Sequence, residues 1–132
     1  MILVDTSVWI DFFRAKSGRP HPLAELLGGR NRVCLCGLIR QEILQGIHQP
    51  KELTATTRML DLLPFLPTTT ATDDHAAEIF RVATRHGLNM PTVDATIAAI
   101  ALQHNVSLYT RDHRHLCALA ELVPLRLYDE KA

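Results

Sequence analysis

The sequence predicts an α/β fold with a mostly parallel β-sheet covered by helices on both faces. Two observations predict it. The run Ile2-Leu3-Val4 is continuously apolar, as expected of a strand buried on both faces, and Val33-Cys34-Leu35-Cys36 and Val106 to Tyr109 read as further short strands. Segments with apolar residues at helical spacing separate them, and strands alternating with helices imply βαβ units. In such sheets ligands bind outside the carboxyl ends of the strands, so functional residues are sought at that edge.

Each element has its own signal. Ile2-Leu3-Val4 is the first strand, and Thr6 or Ser7 is placed to cap a helix carrying Val8, Trp9, Phe12 and Phe13. Pro20 to Gly29 reads as a short helix with Leu23, Leu26 and Leu27 inward, stopped by Gly28-Gly29. Val33 to Cys36 is a strand, and Leu38 to Ile47 a helix ended near Pro50. Lys51 to Leu63 is helical until Pro64, and Phe65-Leu66 is a minimal strand before Pro67. Asp73 to His86 repeats Ala76, Ile79, Phe80 and Ala83 at helical spacing, with Asp73-Asp74 at its start and Gly87 after its end. Pro91 to His104 is a helix with Val93, Ile97, Ile100 and Ala101 inward. Val106 to Tyr109 is a strand, Leu116 to Leu122 a short helix and Pro124 to Tyr128 a last strand.

The 132 residues fit one domain, and 47% apolar content is enough for an ordinary packed core. No segment reaches the roughly 18 uninterrupted apolar residues of a membrane helix. The start, Met1-Ile2-Leu3-Val4-Asp5, lacks the basic residues and cleavage site of a signal peptide, so a cytoplasmic location is expected. Cys34 and Cys36 are two apart in a strand and share a sheet face, which suits reduced core thiols better than a disulfide.

The formal net charge is zero, from 14 Lys+Arg and 14 Asp+Glu, which on totals argues against a nucleic-acid binder. The distribution weakens that objection. Eleven of the basic residues are Arg, the side chain suited to bidentate phosphate contacts. If four acids are committed to a cation, the remaining surface is net basic.

Four acids point to one edge. Asp5 follows the first strand, and Asp112 follows the Val106–Tyr109 strand after Thr110-Arg111. Asp94 lies in the first turn of its helix, where the helix dipole favours the ionised form. Glu42 shares the apolar stripe of its helix with Leu38 and Ile39, where an unpartnered carboxylate is costly, and the small Gly46 one turn on leaves room. Its partner is an arginine such as Arg40, or a cation. Two like charges about 4 Å apart repel by roughly 4 kcal/mol at an effective dielectric of 20. Four clustered carboxylates would then rival the whole stability of a small domain, on the order of 5–15 kcal/mol, so a cation is favoured. Oxygen-only ligation suits Mg²⁺ or Mn²⁺, and the chemistry such a site supports is phosphodiester hydrolysis. Taken singly, each acid reads as a cap, a turn former, a dipole partner or half of an ion pair; the conjunction carries the case.

These residues also resemble a known family. Ile2-Leu3-Val4-Asp5-Thr6-Ser7-Val8-Trp9-Ile10 is similar to the opening of PIN-domain nucleases, and within them of the VapC-type toxins of VapBC toxin–antitoxin modules. Glu42-Ile43-Leu44-Gln45-Gly46 resembles their E-x-x-x-G helix, and Pro91 to Ala99 their P-x-x-D-x-x-I-A-A helix. Leu108-Tyr109-Thr110-Arg111-Asp112 resembles their strand followed by T-x-D, and the matches run in the family's order over nearly the full chain. The resemblance implies a three-layer α/β/α sandwich with a central mostly parallel sheet. It also implies cleavage of RNA with Mg²⁺ or Mn²⁺ to 5′-phosphate and 3′-hydroxyl ends, homodimerisation and inhibition by a VapB-like antitoxin. By matching position, Asp5, Glu42, Asp94 and Asp112 become the catalytic, metal-holding acids, with Thr6, Ser7 and Thr110 in support. Many members carry a further Asp-Phe soon after the fourth acid; here His115-Leu116 takes that place, so the carboxylate that would serve a second metal is missing from that position.

Arg111, Arg114 and His115 flank the acidic edge and are candidates for phosphate contact, which positions RNA without reading its sequence. Zinc held by His113, His115 and Cys117 is disfavoured, because the histidines are two apart with no Cys-x-x-Cys partner. Asp11 reads as solvated on the far side of the first helix. Trp9, Phe12 and Phe13, with Leu23, Leu26 and Leu27, form core or line a groove for a partner helix. The alternative function is a degenerate module that binds RNA or protein without cutting; a phosphatase reading lacks the D-x-D pattern, since Ser7 holds the second position.

Overall fold

The computed structural model describes residues 1–15, 18–29 and 32–130. Four strands, β1 (Ile2–Val4), β2 (Val33–Cys36), β3 (Phe65–Leu66) and β4 (Ser107–Tyr109), form one sheet in the order β3-β2-β1-β4. All three pairings are parallel, with Ile2 opposite both Val33 and Ser107 and Leu35 opposite Phe65. The side chains of β1 and β2 are buried along their whole length. That is the physical reason their sequences show no polar alternation.

The strand order fixes where a site forms. From β1 the chain moves outward to β2 and β3, then returns past β1 to add β4 on the other side. The direction of winding therefore reverses between β1 and β4, and a crevice opens at their carboxyl ends. Asp5 follows β1 and Thr110 follows β4, so both stand at that crevice.

Helices flank the sheet in two packed groups. α1 (Thr6–Arg14) packs on α2 (Pro22–Leu27) and α3 (Gly37–Gln45), and α3 packs on α4 (Pro50–Asp61). α5 (Thr70–Arg85) pairs with α6 (Thr92–Gln103), which also rests on β4. α7 (Leu116–Leu119) is a single turn after β4. Among the described residues no helix is long and apolar enough to cross a membrane.

Several boundaries differ from the sequence reading. The residue preceding α1 in extended conformation is Asp5, not Thr6 or Ser7, because those two lie inside the first turn. α2 starts at Pro22, where His21 Nδ1 accepts from the Leu23 amide at 3.1 Å. α4 starts at Pro50, which suits a first helical position that needs no amide donor. α5 starts at Thr70, because Thr69 and Thr72 bond each other's backbone amides and close the helix one turn before Asp73. α7 stops at Leu119 instead of Leu122. The expected strand over 124–128 contributes only one bridge, Leu127 beside Leu108. The Arg126 carbonyl still accepts from the Leu108 amide at 2.8 Å, so the tail lies along β4 without becoming a ladder.

α6 is the helix on which the site depends most. It buries Ala95, Ile97, Ala98, Ala99, Ile100 and Ala101, and it carries Asp94 in its first turn. Small alanines bring its backbone close to its neighbours, and that closeness fixes where Asp94 stands. Replacing the fully buried Ala99 with Leu overpacks this contact and should cost about 1–3 kcal/mol. Urea denaturation checks it, and an unchanged midpoint would contradict this role for α6.

Candidate metal centre

Asp5 is 6% exposed although it is ionisable and sits at the edge of the sheet. Its Oδ2 accepts from the Ser7 hydroxyl at 2.9 Å and the Thr110 hydroxyl at 2.8 Å. Ser7 Oγ in turn accepts from the Arg111 amide at 3.1 Å. These bonds tie the first turn of α1 to the end of β4 across the switch point, and they leave Oδ1 outside them.

Glu42 comes from the middle of α3, and its Oε1 accepts from the Thr6 hydroxyl at 2.9 Å. It is half-buried and makes no ion pair with Arg40, which binds Asp61 at 2.8 Å instead. The cation expected to compete for Glu42 is thus committed elsewhere. Gly46 does not clear a tight space: a Cβ there would meet only its own helix carbonyls at ordinary contact distance. Burial raises the Cys36 thiol, and the charges of Glu42 and Asp5 add to it.

Asp112 is held by its own loop. Its Oδ1 accepts from the Arg114 and His115 amides at 3.1 and 3.0 Å, and its amide donates to the Thr110 hydroxyl at 2.9 Å. That turn aims Oδ2 inward, where His115 Nδ1 lies 3.2 Å away. The same nitrogen is 3.7 Å from Asp94 Oδ2. Asp94, Asp112 and His115 each offer a ligand atom, all within 4.8 Å of one another. His113 and Cys117 stand outside that group among the described residues, so the zinc trio does not form.

The electrostatics follow from this crowding. Burial, then the charge and hydrogen bond of Asp112 and the charge of Asp5, push the Asp94 carboxyl up to about 7; His115 opposes them. Burial also acts to raise Asp112, but the backbone and ring bonds from His115 and the bond to Asp94 outweigh it and hold Asp112 below the usual carboxylate range. Without a cation, Asp94 therefore holds its proton up to about neutrality, whereas Asp112 ionises at lower pH. Apart from the His115 ring, the supporting donors are hydroxyls and amides, which orient carboxylates without neutralising them. Such a donor set fits a hard divalent ion, which takes several oxygen ligands.

The structure brings Asp94, Asp112 and His115 together, with the charge of Asp5 also felt at Asp94. Ser7 and Thr110 donate to Asp5, and Glu42 is tied to Thr6, the residue after Asp5. The basic candidates fare differently. Arg111 is paired with Glu130 at 3.1 Å and Asp11 at 3.4 Å, so its charge is already met. Asp11 is accordingly not merely solvated, since it also bonds His21 Nε2 at 2.9 Å. Arg114 is exposed and has no ion pair among the described residues. His115, expected to contact phosphate, turns its Nδ1 toward Asp112 and Asp94. The only sequence signal for that was its place in the position of the family's further Asp. Trp9, Leu23 and Leu26 lie in the core, so the apolar groove beside α1 is lined instead by Ile10, Phe13, Ile43 and Ile47, and it reaches Glu42.

A parallel sheet with acids converging at its switch point defines the class. The PIN-domain family model matches residues 2–122, and the chain is a PIN domain. Within that family it belongs to the VapC ribonucleases. Ribonuclease VapC11 of Mycobacterium tuberculosis is 35% identical over 116 residues, covering 85% of this chain and 87% of the relative. Ribonuclease VapC32 of the same organism is 36% identical over 126 residues, covering 92% of each chain. Among solved structures, DNA-bound VapBC from Salmonella typhimurium superposes with a TM-score of 0.79 at 20% identity, over 98% of this chain and 97% of that one.

The raised Asp94 carboxyl has a stability consequence. An aspartate whose folded pKa lies above its unfolded value, about 3.9, loses stability as pH rises between the two. In chelator, Asp94→Asn should therefore gain on the wild type in urea denaturation as pH is raised from about 4 to about 8. A stability difference that does not change with pH would contradict the charge crowding described here.

Proposed function

We propose that this protein is a metal-dependent endoribonuclease acting as the toxin of a type II toxin–antitoxin system in the cytoplasm, its 132 residues forming one nuclease domain. In this reading Asp5, Glu42, Asp94 and Asp112 hold Mg²⁺ or Mn²⁺. The observation that carries it is the partly buried meeting of Asp94 and Asp112 beside Asp5, with hydroxyls, amides and the His115 ring around them and no arginine paired to them. A divalent ion held there would activate water and offset charge on the phosphoryl oxygens.

The chain's own residues supply the rest. Thr6, Ser7 and Thr110 fix the carboxylates so that their free oxygens face one place. Exposed Arg114 contacts a backbone phosphate of the RNA and positions the strand without reading its bases. Inhibition of translation follows from RNA cleavage, and the products carry 5′-phosphate and 3′-hydroxyl.

The partner is a VapB-like antitoxin. The solved relative is a VapBC complex, and this chain offers a groove between α1 and α3 where Ile10 and Phe13 are each 40% exposed. An amphipathic antitoxin helix laid there covers apolar surface and closes on Glu42. The active toxin is a homodimer in this reading.

Incubation with RNA tests the reading. Cleavage is expected with Mg²⁺ or Mn²⁺ and should stop in EDTA. Asp94→Asn and Glu42→Gln should each lower the rate by about 10²-fold or more, with unchanged circular dichroism. RNA bound but never cut would favour the degenerate-module alternative, and cleavage undiminished by EDTA would remove the metal mechanism.

A further inference from the structure

One side chain in the acidic cluster differs in chemistry from the rest. His115 is the residue preceding α7, and it is only partly exposed. Its backbone amide already serves Asp112 Oδ1, so the loop that fixes Asp112 also fixes the ring. The ring nitrogen Nδ1 then lies 3.2 Å from Asp112 Oδ2 and 3.7 Å from Asp94 Oδ2.

Those separations are those of ligand atoms around one ion. Ligands about 2.1 Å from an octahedral ion stand about 3 Å apart when adjacent and about 4.2 Å apart when opposite. The three atoms lie within 4.8 Å of one another, so small side-chain adjustments bring all of them to a common centre. The nitrogen that faces the cluster is Nδ1, which is directed at two carboxylates.

We propose that His115 contributes a nitrogen ligand to the metal site through Nδ1, beside Asp94 and Asp112, and that this nitrogen shifts the site's preference from Mg²⁺ toward Mn²⁺ and later transition-metal ions. The proposal rests on the metal-dependent reading above and goes beyond it in naming a ligand and a selectivity. The physical ground is ligand type. Carboxylate and water suit Mg²⁺, which rarely accepts nitrogen, whereas imidazole binds first-row transition ions well. A carboxylate at residue 115 would give an oxygen-rich site of higher negative charge, favouring Mg²⁺. The histidine removes that charge and offers a softer atom.

Pulsed electron paramagnetic resonance on the full chain loaded with substoichiometric Mn²⁺ tests this directly, with competition by Mg²⁺ as a second reading. The wild type should show imidazole nitrogen modulation on the bound ion. His115→Ala and His115→Asp should both lose it, and their preference for Mn²⁺ over Mg²⁺ should fall by about tenfold. His115→Asp keeps a ligand at the position, so it separates loss of nitrogen from loss of folding. Mn²⁺ bound without nitrogen modulation, or modulation that persists in both variants, would overturn the role of His115 and leave the metal-dependent nuclease reading intact. Failure of the wild type to bind Mn²⁺ at all would overturn both.

Discussion

Repulsion between carboxylates is the constraint on which this structure turns. Asp94 and Asp112 are close enough, and buried enough, that one holds its proton up to about neutrality while the other ionises at lower pH. Salt bridges to arginine would be the simple remedy, but the molecule does not use it. Arg40 is committed to Asp61, and Arg111 to Asp11 and Glu130. The acids are held by the hydroxyls of Thr6, Ser7 and Thr110, by backbone amides and, at Asp112, by the His115 ring. Neutral donors give direction without cancelling charge. The negative potential is thereby left for an ion, and the proposed function depends on that choice of donors.

Topology explains how residues so far apart in sequence meet. Asp5 and Thr110 leave adjacent parallel strands at the point where the winding of the sheet reverses. The bond between them spans 105 positions of the chain, yet it needs no more than the ends of two neighbouring strands. Asp94 arrives on α6, whose alanine-rich surface allows close approach, and Glu42 on α3, one helix after β2. The proposed site is a consequence of strand order and helix packing, which is why no local stretch of sequence contains it.

What could be read from sequence alone follows the same logic. Apolar runs located β1 and β2, because burial on both faces leaves no alternation to confuse with a helix; the two-residue β3 was marked by its flanking prolines although Phe65 is exposed, and the strand expected over 124–128 is only a single bridge. The acids were legible because a carboxylate at a strand end or on an apolar stripe is costly enough to need a reason. Helix starts were read less well. Thr6 and Ser7 are good caps by composition, yet their hydroxyls serve Glu42 and Asp5, a tertiary use that propensity cannot see. The pairing of Arg111 with Asp11 and Glu130 joins segments whose proximity only the fold reveals. His115 was the least legible, because its ring direction is set by the turn that binds Asp112.

The most direct measurement is anomalous diffraction from crystals soaked in Mn²⁺ at neutral pH. A single strong peak is expected between the carboxylates of Asp5, Asp94 and Asp112, within about 2.0–2.4 Å of at least two of their oxygens. Absence of a peak there, with Mn²⁺ found only on surface acids elsewhere, would contradict the claim that these side chains crowd together to receive a cation.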